Sequence, residues 1–128
     1  MSRAIGDFSG LKGGTVQEVL EAIPLHATHR KLLPIAGAVN EGIEYKWVEG
    51  GVTWRVRMHG PDPSAPSGTH ANTGWVVRIQ RQHRFMDSQG NFHARGVNNP
   101  ASPHYDPKAA NDTHIPLQTP GDAGEFTR

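Results

Sequence analysis

With 128 residues, 35% hydrophobic side chains and a formal net charge of +1, the chain has room for one domain with a small core. It contains no Cys, which excludes disulfide frameworks, Cys-ligated zinc, thiol nucleophiles and the zinc nucleoside deaminases. No apolar run approaches the roughly 18 residues of a membrane-spanning helix, and the N-terminal residues lack the basic-then-apolar pattern of a signal peptide.

Residues 1–13 are small, Gly-containing and aperiodic, and read as a flexible lead-in. Thr15 and Glu18 then form a capping box, and Val16, Val19, Leu20 and Ile23 follow at helical spacing until Pro24 ends the run. A second, weaker helix or turn is expected over His26 to Leu33. From Glu44 the period changes to two. Glu44–Val48 and Val52–His59 alternate on either side of Glu49-Gly50-Gly51, which predicts a hairpin. Gly60–Gly68 holds three prolines, which cannot donate to a ladder, and is read as a surface loop. Gly74–Arg81 reads as a third strand, and Arg84–Asp87 with Asn91–His93 as a second hairpin. Beyond Val97, prolines at 100, 103, 107, 116 and 120 predict little regular structure, and residues 119–128 read as a tail. The expected fold class is α+β: an N-terminal helix packed on an antiparallel sheet of four or five strands, then a long irregular C-terminal segment. A single domain is placed at residues 14–118.

The net charge conceals a segregation. Residues 1–44 carry −1, residues 45–96 carry +4, and residues 97–128 carry −2. A local basic patch matters more for polyanion binding than the net value. Strand alternation places Trp54, Val56 and Met58 on one face with Trp75, Val77, Ile79, Tyr45 and Trp47. The other face carries Lys46, Arg55, Arg57, His59 and Arg78, where like charges repel unless a ligand or counter-ion relieves them. Arg offers bidentate phosphate contact, and neighbouring cations lower a His pKa and keep it available as a base. Of the eight His, the pattern makes His26, His29 and His83 surface residues, and His93 a structural residue of an edge strand. His70 follows the proline loop back toward the strand end that carries His59, and His104 and His114 flank a long polar segment ending in Asn111–Pro116. No metal-ligand motif and no Gly-rich nucleotide fingerprint occurs, so neither a metal nor a cofactor is expected.

The strings Gly42–Trp47, Trp54–Pro63, Gly74–Arg78 and Asn111–Pro116 together resemble the C-terminal toxin domains of bacterial polymorphic toxin systems, specifically type 30. The resemblance spans about residues 14–117. It implies a ribonuclease toxin of the barnase, EndoU, colicin and RelE-like group. Such a domain is carried at the tip of an N-terminal delivery protein, exported by a bacterial secretion system, active as a monomer in the target-cell cytoplasm, and neutralised by a cognate immunity protein. The substrate is then RNA, with no membrane partner. The absence of thiols suits a chain that crosses oxidising space before acting in a reducing one.

A metal-independent ribonuclease needs a base for the ribose 2′-hydroxyl, an acid for the leaving 5′-oxygen, and cations for the phosphorane, giving a 2′,3′-cyclic phosphate. In that reading His59 and His114 are the acid–base pair and Arg57 holds the phosphate. Arg55, Arg78, His70 and Lys46 contact substrate, and Asp112 or Thr113 orients His114. Three other readings stand beside it: a target-modifying ADP-ribosyltransferase-like toxin with Glu44 as its strand Glu, a metal-dependent nuclease, and a non-catalytic RNA-binding module.

Overall fold

A computed structural model describes residues 3–39 and 41–121. The elements in chain order are α1 (Val16–Glu21), β1 (Thr28–Lys31), β2 (Gly42–Glu49), β3 (Val52–His59), α2 (His70–Thr73), β4 (Val76–Arg81), β5 (Arg84–Met86), β6 (Phe92–His93), a 3-10 turn (Arg95–Asn98), α3 (Pro107–Asp112) and β7 (Ile115–Pro116). The sheet has seven antiparallel strands in the order β1-β2-β3-β4-β5-β6, with β7 also pairing β4. The expected count of four or five strands is therefore too low. The additional strands are short, and the segment read as a second helix or turn holds β1, whose four residues are all exposed and carry no apolar alternation.

The central hairpin follows directly from sequence. Gly50 and Gly51 have φ of 58° and 78°, the left-handed pair that a two-residue turn between twisted strands requires. The resulting register sets Tyr45 against Val56 and Trp47 against Trp54, and Val56 in turn lies against Ile79 of β4. These residues share one buried cluster with Val16, Val19 and Leu20 of α1. The Trp47 and Trp54 rings stack 5.8 Å apart, and Phe8 lies 6.3 and 6.0 Å from them. Within the stretch read as a lead-in, Phe8 and Leu11 are core residues, isolated among glycines and so without a periodic signal. Residues 122–128 of the expected tail lie outside the described residues.

α1 starts where its cap predicts: the Thr15 hydroxyl accepts from the Glu18 amide at 3.2 Å. The C-terminal segment holds more structure than its prolines suggested. Pro107 sits in the first turn of α3, where no amide is needed, and the Asp106 carboxylate accepts from the amides of Lys108 and Ala109. Beyond α3, β7 pairs the N-terminal half of β4, while β5 pairs its C-terminal half on the far side of Arg78.

Ile79 is fully buried at the meeting of helix and sheet residues. Ile79→Ala should cost about 2–5 kcal/mol in urea unfolding. A loss below about 1 kcal/mol would show that this face is not close-packed.

Candidate active site

The solvent side of the sheet is built rung by rung. Arg30, Glu44, Arg57 and Arg78 stand side by side across β1, β2, β3 and β4. Glu44 is only 5% exposed and accepts from Arg30 Nε at 2.8 Å and from Arg57 at 3.1 Å. Burial pushes its carboxyl pKa up, but the two guanidinium groups outweigh burial and hold it below the usual range. Its charge is thus divided between two cations, and Arg78 has no carboxylate partner among the described residues. Arg78 instead lies over the Phe85 ring at 4.5 Å. Burial, reinforced by Arg57, lowers the Arg78 pKa to about 10. The Nε atoms of both Arg57 and Arg78 are buried without a hydrogen-bond partner.

The next rung ends β3 with His59, opposite Gly42 on one side and Val76 on the other. Gly42 is needed there. A Cβ would stand 2.6 Å from the Met58 carbonyl oxygen and 2.9 Å from the His59 Cβ. β7 lays Ile115 against Val77 and Pro116 against Val76, so His114, one residue earlier, arrives at the level of Arg78. The two imidazoles meet edge to face with centroids 6.4 Å apart. Each commits its Nδ1 to a backbone carbonyl at 2.8 Å, His59 to Gly60 and His114 to Ala110. A proton on Nδ1 makes those bonds, so each neutral ring keeps Nε2 as an acceptor.

Both rings are held neutral at pH 7. Burial lowers the His59 pKa; the bond to Gly60 opposes this, and Arg78 and Arg57 lower it further. Burial and then Arg78 bring His114 to about 4, against the pull of Ala110. Beside the pair opens a cleft of about 1020 Å³. Arg30, Arg57, Arg78, His59 and His114 line it, together with the 32–39 segment, the proline loop and the Asn98–Asn111 stretch. A smaller hollow of about 120 Å³, with Arg55, Gln80 and Phe85 in its wall, shares Arg57 and Arg78 with the cleft.

The site residues expected from sequence therefore separate into two groups. His59, His114, Arg57 and Arg78 come together, with Arg55 at the adjoining hollow. Lys46 pairs Arg55 across the ladder and is exposed, two rungs away from His59. His70 starts α2 and gives its backbone amide to Asn111 Oδ1 at 2.9 Å, while its neighbours Thr69 and Ala71 line the cleft. Asp112 and Thr113 do not orient His114. Asp112 accepts from Ser88 Oγ at 2.7 Å, and Thr113 is fully buried with its hydroxyl on the Ala110 carbonyl. The orienting group is that carbonyl, which no side-chain pattern could reveal. Glu44 and Arg30 were absent from the expected site, although alternation alone puts Glu44 on the face of Lys46. His93 is tied to Asp87 at 2.8 Å, the structural place its edge strand implied. Among the described residues, no three of His, Asp and Glu group as metal ligands.

A family model described as bacterial toxin 30 matches residues 18–118, and the chain belongs to that family. No curated protein and no solved structure matches it.

The buried imidazoles make stability sensitive to acid. His114 has a folded pKa of about 4 against an ordinary 6.5, so the unfolded chain binds the extra proton between those values. Stability is complete above pH 6.5 and should fall as pH drops toward 4, by a few kcal/mol (on the order of 3) from this group. Glu44 adds its own loss below pH 4.5, since its folded pKa is depressed from that value. Chemical denaturation of His114→Gln should show a shallower slope between pH 6.5 and 4. An unchanged slope would mean that His114 is solvated.

Proposed function

We propose that this member of the bacterial toxin 30 family is a metal-independent endoribonuclease, cleaving RNA through the 2′-hydroxyl to a 2′,3′-cyclic phosphate. The observation that carries this reading is the meeting of His59 and His114 at 6.4 Å beside Arg57 and Arg78. A phosphodiester in the cleft beside the two rings would face both imidazoles and both guanidinium groups.

His114 keeps its Nε2 unprotonated over the wider pH range and serves as base. It takes the proton of the 2′-hydroxyl as that oxygen attacks phosphorus. The bond from phosphorus to the 5′-oxygen breaks, and the departing oxygen receives a proton from the Nε2 of protonated His59. Arg57 and Arg78 stabilise the charge of the phosphorane, with Arg57 held by Glu44 and Arg78, which has no carboxylate partner among the described residues, left to meet phosphate. Arg55 lies one hollow away, at a place suited to a neighbouring phosphate.

The family supports a wider setting: secretion on a delivery protein, action in the cytoplasm of the target cell as a monomer, and restraint by an immunity protein. No helix of the described residues is long and apolar enough to cross a membrane. The target-modifying reading is less well supported, because both oxygens of Glu44 are engaged by arginines. A non-catalytic RNA-binding module is less well supported, because binding alone does not need two imidazoles that meet with both Nδ1 atoms committed to backbone carbonyls.

Purified protein should cleave total bacterial RNA in EDTA, leaving cyclic phosphate ends. His59→Ala and His114→Ala should each lower kcat by about 10²- to 10⁴-fold while remaining folded. Intact RNA with wild type, or full activity without either ring, would sink the mechanism. The pH profile carries the sign of the assignment. The base is lost below about 4 and the acid above a His59 pKa that lies under 6.5, so kcat/KM should peak between those limits. A peak above neutrality would reverse or refute the roles.

A further inference from the structure

Phosphate chemistry accounts for the floor of the cleft but not for its wall. The cleft is far larger than a phosphate group, and besides the arginines and histidines it is lined by Leu33, Ile35, Pro66 and Tyr105. Leu33 is 80% exposed, Ile35 60% and Tyr105 39%, so three of the large apolar side chains left in solvent stand around this one opening. Solvent exposure of such side chains in one place marks a surface that a ligand covers.

We propose that this wall is a nucleobase subsite: a base flanking the scissile phosphate is turned out of its stack and laid against Tyr105, between Leu33 and Ile35. The inference rests on the nucleic-acid reading of the cationic floor, and it narrows the substrate to single-stranded RNA. Continuity of wall and floor selects this occupant. A ligand that meets both must be anionic at one end and flat and apolar a few ångströms away, and an unpaired nucleotide has that form. A paired duplex does not, because its bases are already stacked and its grooves do not offer a ring face.

The test uses RNA hexamers bearing 2′-O-methyl groups at every position, which removes the nucleophile and makes binding readable whether or not the protein cleaves. Wild type should bind the single-stranded hexamer about tenfold more tightly than one with a central abasic residue, and more tightly than the same strand in a duplex. Tyr105→Ala should erase the difference between intact and abasic strands, and Tyr105→Phe should keep it. Tyr105 is exposed, and circular dichroism checks that the Tyr105→Ala protein keeps its fold. Equal binding of intact and abasic strands by wild type would overturn the subsite, as would a Tyr105→Ala protein that still discriminates or a wall that binds no hexamer. The two readings fail separately. Cleavage of natural RNA without base discrimination removes the subsite alone, and discrimination without cleavage removes the ribonuclease alone. Protection of Tyr105 only by a protein partner, with no hexamer effect, would assign the wall to an inhibitor and likewise refute the proposal.

Discussion

One edge of β4 is divided between two strands, and the site depends on that division. β5 takes its C-terminal half at Gln80 and Arg81, and β7 takes its N-terminal half at Val76 and Val77. Arg78 sits at the junction. A continuous β5 would have covered the whole edge with a tight hairpin and left the C-terminal segment with no place to dock. Because β5 is three residues long, the chain can travel through the 3-10 turn and α3 and return beside the strand it left. That return brings His114 to His59 across more than fifty residues of sequence. Two ladder rungs are little to hold such a segment, so other contacts share the work. Ile115 and Thr113 are fully buried on either side of His114, and Asn111 ties α3 to the start of α2.

The electrostatics of the site are those of cations in excess over carboxylate. One carboxylate, Glu44, shares its rung with three arginines and bonds two of them. Placing Arg57 and Arg78 in adjacent register with partly desolvated guanidinium groups is costly, which the depressed Arg78 pKa records. Burial, and after it the same cations, depress both histidines. On the proposed reading, the negative charge of an entering phosphate would pair Arg78 and favour a protonated imidazole, so that binding and protonation would be linked. Glu44 has a subtler part. It neutralises enough of the rung for the sheet to form, and it fixes the Arg57 guanidinium without occupying Arg78.

How much of this was legible in sequence depends on how local the cause was. The β2–β3 hairpin needed only alternation and two glycines, and its register placed Glu44, Arg57 and His59 on one face, to which β4 adds Arg78 opposite Arg57. The short strands were not legible. β1 has four exposed polar or charged residues, and β7 has two residues, one of them proline, so neither carries a pattern that differs from a loop. α3 was legible in principle, because Asp106 followed by Pro107 is a helix start, but the surrounding prolines masked it. Phe8 and Leu11 belong to the core through tertiary contact alone. The orientation of His114 was beyond any side-chain motif, because a main-chain carbonyl supplies it.

That carbonyl shows how the irregular segment is turned into a precise part. Ala110 O, near the end of α3, accepts both the Thr113 hydroxyl and His114 Nδ1, each at 2.8 Å. Residues at the end of a helix have carbonyls that no further turn can satisfy, and the next few side chains are the nearest donors. Thr113 uses the carbonyl to bury its hydroxyl, and His114 uses it to fix its tautomer. His59, the last residue of β3, does the same with the carbonyl of Gly60, the first residue beyond the strand. Both histidines thus stand at the limit of a regular element, where backbone acceptors are unspent. His93, the last residue of β6, is oriented instead by the carboxylate of Asp87. A carboxylate beside His59 or His114 would raise the imidazole pKa and pair with the arginines of the cleft. Orientation by neutral carbonyls sets the two rings without spending the positive charge of the cleft.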